Sequence, residues 1–119
     1  MADSPQVSFD DFQRLDIRVG RILRVEPNAK ARMPAYCLWI DFGPEVGERT
    51  SSAQITEAYS AEELVGRMVL GVVNFPPRRV AGFRSDVLVL GVYSDCGEGP
   101  VVLVSPDQKD GIKPGDRLG

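Results

Sequence analysis

"DIRVGRILRV", residues 16–25, places apolar Ile17 and Val19 on one parity and then slips phase, so that Ile22 falls on the other. Gly20 stands where the alternation changes. A glycine at such a point predicts a bulge or sharp bend, the device that lets one strand serve both sides of a small barrel. Next, "AYCLWIDFG" (35–43) sets Tyr36, Leu38, Ile40 and Phe42 on one face and Cys37, Trp39 and Asp41 on the other. "RTSSAQI" (49–55) reads as a short polar strand. "RMVLGVVNF" (67–75), "SDVLVLGVY" (85–93) and "GPVVLVSP" (99–106) are β-branched strands bounded by Gly and Pro.

Two short helices interrupt the strands. Ser8 before Phe9, Asp10, Asp11 and Phe12 is an N-cap, and two aspartates suit the positive helix end. Phe9, Phe12 and Leu15 share one face, which either closes an end of its own core or contacts a second copy. The first is the simpler expectation. "SAEELVG" (60–66) has Ser60 as cap, Glu63 at the capping-box position and Gly66 at its end. The whole predicts a mainly all-β fold: a five-stranded barrel with a short N-terminal helix, a short helix after strand 3, and extensions at both ends. That is the oligonucleotide/oligosaccharide-binding (OB) pattern. Residues 1–119 suit a single domain, with 1–7 flexible.

Composition excludes several chemistries. The chain has no histidine, so no Ser-His or Cys-His dyad and no imidazole base near neutral pH. Cys37 and Cys96 lie far apart without metal-ligand spacing and read as reduced thiols. Asp10–Asp11 and Glu62–Glu63 read as helix-start charges rather than an acid–base pair. No catalytic residue, metal or cofactor is expected. No apolar run reaches the roughly 20 residues that span a bilayer, and the first residues lack a signal-peptide pattern. The expected location is the cytoplasm, without membrane insertion.

Charge is sorted along the chain. Residues 14–32 and 67–93 together carry ten basic and three acidic groups, against four and fourteen elsewhere, although the net charge is -3. Arginine suits phosphate and stacks on bases. Arg18 and Arg24 have a plainer reading as outward strand positions paired with Asp16 or Glu26. In "NFPPRRVAGFRSDVLVL" (74–90), Pro76 and Pro77 stop a strand and Gly82 permits a bend between Arg79 and Arg84. The corner presents arginines beside Phe83, as single-stranded nucleic acid requires.

"DIRVGRI" (16–22), "SSAQIT" (51–56) and "NFPPRRVAGFRSDVLVLG" (74–91) resemble the tRNA-binding OB-domain family, found as free dimers and at the C-terminus of some methionyl-tRNA synthetases. The resemblance is strongest to its export-associated chaperone branch and runs from Phe9 to the C-terminal turns. It implies a non-enzymatic homodimer, closed by the extensions, that binds unfolded or presequence-bearing polypeptides, with tRNA as alternative ligand. Ser51, Ser52, Asn74, Arg78, Arg79, Gly82 and Ser85 match the family's binding-face motif, and Arg84 belongs to the same corner. The tRNA-binding pattern has methionine three residues after Ser85, where this chain has Leu88. Phe75, Phe83 and Leu88 are candidate apolar peptide contacts, with Trp39 and Met33 also considered. Ser52 and Ser85 have a plainer reading as groups that satisfy backbone at a turn or strand start. The sequence pI of about 4.9 favours the chaperone.

Overall fold

The computed structural model describes residues 4–119. Its elements run α1 (Phe9–Gln13), β1 (Ile17–Pro27), β2 (Tyr36–Asp41), α2 (Gly43–Val46), β3 (Glu48–Ala53), α3 (Ala61–Leu64), β4 (Met68–Val72), β5 (Arg78–Val80), β6 (Phe83–Ser85), β7 (Leu88–Val89), β8 (Gly91–Tyr93), a 3-10 turn (Asp95–Gly97) and β9 (Val101–Leu103). One antiparallel sheet has the order β3-β2-β1-β4-β7, and β5-β6 and β8-β9 are separate hairpins. The sheet curls until its edges meet. The Thr50 carbonyl accepts from the N–H groups of Asp86 (2.8 Å) and Val87 (3.3 Å), so five strands form a nearly closed OB barrel.

The predicted face of β2 is the core. Leu38, Ile40 and Phe42 are fully buried with Ile22, Val69 and Leu64. Leu64 comes from α3, which follows β3 as expected. Ser60 accepts from the Glu63 N–H and Glu63 reciprocates, a complete capping box. Tyr59 ties this end together: its carbonyl accepts from the Tyr36 hydroxyl (2.9 Å), and its own hydroxyl accepts from the Leu103 N–H (3.0 Å).

Three local expectations are corrected, and one helix is new. The register break in β1 lies between Ile22 and Arg24, whereas Gly20 pairs regularly with Val69. Gly20 is glycine for another reason: a Cβ there would stand 2.6 Å from Ile40 Cγ2 and 2.7 Å from the Phe42 ring. Helix α1 does not close its own core, because it buries no residue and leaves Phe9 68% exposed. Residues 85–93 form no single strand, since Asp86 and Val87 turn their N–H groups to β3. Helix α2, between β2 and β3, was not anticipated; Pro44 in its first turn and Asp41, accepting from the Gly43 N–H at 2.8 Å, start it.

The expected extensions lie at both ends. The C-terminal segment runs along β1, with Gly115 donating to Val19, Val19 to Asp116 and Leu118 to Ile17 at 2.8–2.9 Å. Arg18 is buried rather than outward. Its guanidinium donates to Asp16 (2.6 Å), Glu45 (3.3 Å) and the Gly115 carbonyl (3.2 Å). Those carboxylates raise its pKa above the ordinary arginine value. Part of the flexibility expected for 1–7 falls on 1–3, outside the described residues; residues 4–8 are exposed and without regular structure.

Candidate nucleic-acid and peptide interface

The Pro-Arg corner folds as a small hairpin beside the barrel mouth. Arg78 faces Ser85, Arg79 faces Arg84 and Val80 faces Phe83. Ala81 (φ 50°) and Gly82 (φ 82°) form the two-residue turn, and positive φ at both positions matches the twist of hairpin strands. Gly82 therefore supplies the bend expected of it. The hairpin is anchored twice. Phe83 meets the Trp39 ring edge-on, centroids 5.4 Å apart at 73°, and Asn28 Nδ2 donates to the Val80 carbonyl (3.2 Å).

The motif serines seam the barrel. Ser51 is buried and donates to the Val87 carbonyl (3.0 Å), while Ser85 Oγ accepts from the Ser52 N–H (3.0 Å). Thr50 Oγ1 donates to the Arg84 carbonyl (2.7 Å) and bonds the Asp86 carboxylate (3.1 Å). Burial raises the Asp86 pKa, but hydrogen bonds from Arg84 and Thr50 outweigh it and the net shift is downward. Asn74 belongs to another junction. Its amide accepts from the Asp16 N–H (2.9 Å) and donates to the Arg14 carbonyl (2.8 Å), clamping the passage from α1 into β1.

Two depressions share Arg78. A groove of about 290 Å³ is lined by Ser52, Phe75, Pro76, Arg78, Ser85 and Leu88 among others. Phe75 and Leu88 keep 43% and 47% of their surface exposed there. A smaller depression of about 160 Å³ lies between Pro77, Arg78, Arg79 and Arg84. The fold thus brings Ser52, Phe75, Arg78, Ser85 and Leu88 together, and Arg79 and Arg84 alongside. It sets Ser51 inside the wall, Gly82 at the hairpin tip, Phe83 against Trp39, and the Asn74 amide at the α1–β1 junction.

Sequence reasoning named Arg24, Trp39 and Phe83 but not their association. Trp39 lies outside the barrel, opposite Arg24 on β1 and Thr50 on β3. The Arg24 guanidinium lies 4.1 Å from the Trp39 ring centroid and binds Glu26. The signal was the alternation in β2, combined with a bulge that restores Arg24 to the outer face. Met33, 61% exposed, lines a different groove with Ile55 and Tyr93.

The surplus charge also resolves. Each of the three acids in the two basic stretches holds an arginine: Asp16 with Arg18, Glu26 with Arg24, Asp86 with Arg84. Six basic residues of these stretches have no ion pair among the described residues: Arg21 and Arg67, which line a separate depression of about 750 Å³, and the four residues Lys30, Arg32, Arg78 and Arg79. Those four occupy the β1–β2 loop and the β5-β6 hairpin, which flank the β2–β3 face. In OB folds this face and these two loops form the usual ligand surface. Among the described residues there is no group of three or more His, Cys, Asp or Glu that could hold a metal ion, and no helix long and apolar enough to cross a membrane.

The family described as "Putative tRNA binding domain" matches residues 17–117. The chain belongs to this family. Within the tRNA-binding-domain family it is similar to two solved CsaA chaperones. That of Picrophilus torridus is 42% identical with a TM-score of 0.86, covering 96% of this chain and all of that one. That of Bacillus anthracis is 45% identical with a TM-score of 0.87, covering 97% and all respectively. Among curated relatives, the methionine–tRNA ligase of Methanosarcina acetivorans is 38% identical over 96% of this chain. This chain spans only 15% of that enzyme, so it matches one domain of a longer protein.

Proposed function

We propose that this chain is a non-enzymatic, homodimeric chaperone of the CsaA type. It binds unfolded or export-bound polypeptides in the cytoplasm through one tRNA-binding-type domain spanning residues 1–119. The observation that carries this reading is the groove in which exposed Phe75 and Leu88 stand beside Ser52 and the unpaired Arg78. Apolar side chains left open next to hydrogen-bonding groups suit an extended peptide of mixed character.

A specific observation also favours tRNA binding on the same face. Lys30, Arg32, Arg78 and Arg79 lie around the β2–β3 surface without carboxylate partners, and each phosphate they neutralise releases counterion. Fluorescence anisotropy with a labelled unfolded peptide and with labelled tRNA, across a salt series, separates the two. Leu88→Glu is expected to abolish peptide binding, which depends little on salt. Arg78→Glu/Arg79→Glu is expected to weaken tRNA and to flatten the salt slope by about two, roughly one per basic contact. Peptide binding that is absent, or indifferent to Leu88→Glu, rules out the chaperone groove. tRNA binding indifferent to the double variant rules out the arginine corner.

A further inference from the structure

The β2–β3 face carries a feature that generic phosphate attraction does not require. Arg24, on β1, is held by two contacts. Its guanidinium rests on the Trp39 ring at 4.1 Å and is tied to Glu26 at 2.5 Å, while its side chain remains 59% exposed. An exposed arginine on a strand ordinarily samples many rotamers. Here the Trp39 ring and the Glu26 carboxylate restrain it together. Phe83 meets the indole in a T-shaped contact, so Trp39 is itself braced by the hairpin. The outcome is a cation seated over tryptophan whose remaining surface is open, more than half of the side chain being exposed.

We propose that this open surface of Arg24 is a stacking platform for an unpaired base of single-stranded RNA. The inference rests on the nucleic-acid side of the proposed function and adds to it a named contact. Bases in unpaired RNA stack on arginine planes and aromatic rings, and the stack tolerates any base because every base has a π-face. Phosphates on either side of such a base find Lys30 and Arg32 in the loop that follows β1, and the unpaired Arg78 and Arg79 on the hairpin beyond Trp39. Glu26 is a positioning residue that repels phosphate, so the ligand at Arg24 is the base and not the backbone.

Trp39 is the single tryptophan of the chain, so its emission reports this stack directly. The test titrates unlabelled adenosine hexanucleotide RNA, with a mixed-sequence RNA duplex as control, and measures labelled tRNA by anisotropy on the same samples. The expected result is saturable quenching by the single strand and none by the duplex. Arg24→Lys keeps the charge but loses the plane, and is expected to weaken hexanucleotide binding about 10-fold. Arg24 is on the surface, and matched far-UV circular dichroism and melting of the variant verify its fold. Wild-type affinity in Arg24→Lys, or hexanucleotide binding without a change in Trp39 emission, overturns the platform. If tRNA binds while the single strand leaves emission unchanged, the platform falls and the tRNA reading stands. If neither RNA binds, both fall together.

Discussion

At position 20 a hydrogen in place of a methyl group lets the barrel close on Phe42. The Phe42 ring lies between Gly20 and Gly71, where added Cβ atoms would stand 2.7 Å and 2.9 Å from it. Gly20→Ala therefore overpacks a fully buried site and is expected to destabilise by about 2–3 kcal/mol in urea unfolding. Shrinking the obstacle with Phe42→Leu should recover part of that loss in the double variant. Strict additivity of the two losses would show that the contact is not the cause. The inward face of β2 was legible from the sequence because Tyr36, Leu38, Ile40 and Phe42 alternate without interruption, and period 2 has one structural meaning. Gly20 was legible only as an exception. A glycine in a strand signals either a bulge or a close approach, and the neighbour that decides between them, Phe42, arrives from the junction of β2 and α2.

The β5-β6 hairpin behaves as an element with its own stability, pinned to the barrel by Phe83 and Asn28. Ala81 occupies the left-handed region at φ 50°, where a β-carbon is unfavourable and asparagine is the residue such turns prefer. Ala81→Asn is expected to slow hydrogen exchange in the hairpin, by about 0.5–1 kcal/mol of opening free energy. Gly82→Val should do the reverse, lift Phe83 from Trp39 and shift tryptophan emission to the red. An unchanged spectrum would show that the turn does not set the anchor. Asp86 joins this element to β3. Its folded pKa lies below the unfolded one, so the stability it adds is present above about pH 4, the unfolded carboxylate value, and disappears as pH falls through the folded value. Asp86→Asn should make the acid limb of the stability curve shallower below pH 4, and an unaltered limb would assign acid sensitivity elsewhere. The sequence showed that arginines gather at this corner, since Pro76, Pro77 and Gly82 mark its turns. It could not show that Asn74 is spent on the backbone of Arg14 and Asp16, because that clamp spans about 60 residues of chain.

At the scale of the molecule, the apolar surface that the chain leaves open bears on the proposed homodimer. Helix α1 is capped by Ser8 yet buries none of its side chains; Phe9 and Phe12 stack on each other, centroids 6.0 Å apart, and face outward with Val7. Tyr93 and Val92 on β8 are also exposed, at 75% and 53%. A five-residue helix has almost no stability alone, so it needs a surface to pack on. Its sequence offered two such surfaces, its own barrel or a second copy, and on the barrel α1 buries none of its residues. The proposed homodimer supplies the other. Sedimentation velocity of the wild type is then expected to give about twice the 13.0 kDa chain mass at micromolar concentration. Phe9→Glu/Phe12→Glu should shift that species to the monomer, while near-UV circular dichroism of the barrel stays unchanged, because no core contact is removed. A wild type that sediments as a monomer would exclude the dimer, and a double variant that remains dimeric would move the interface away from α1.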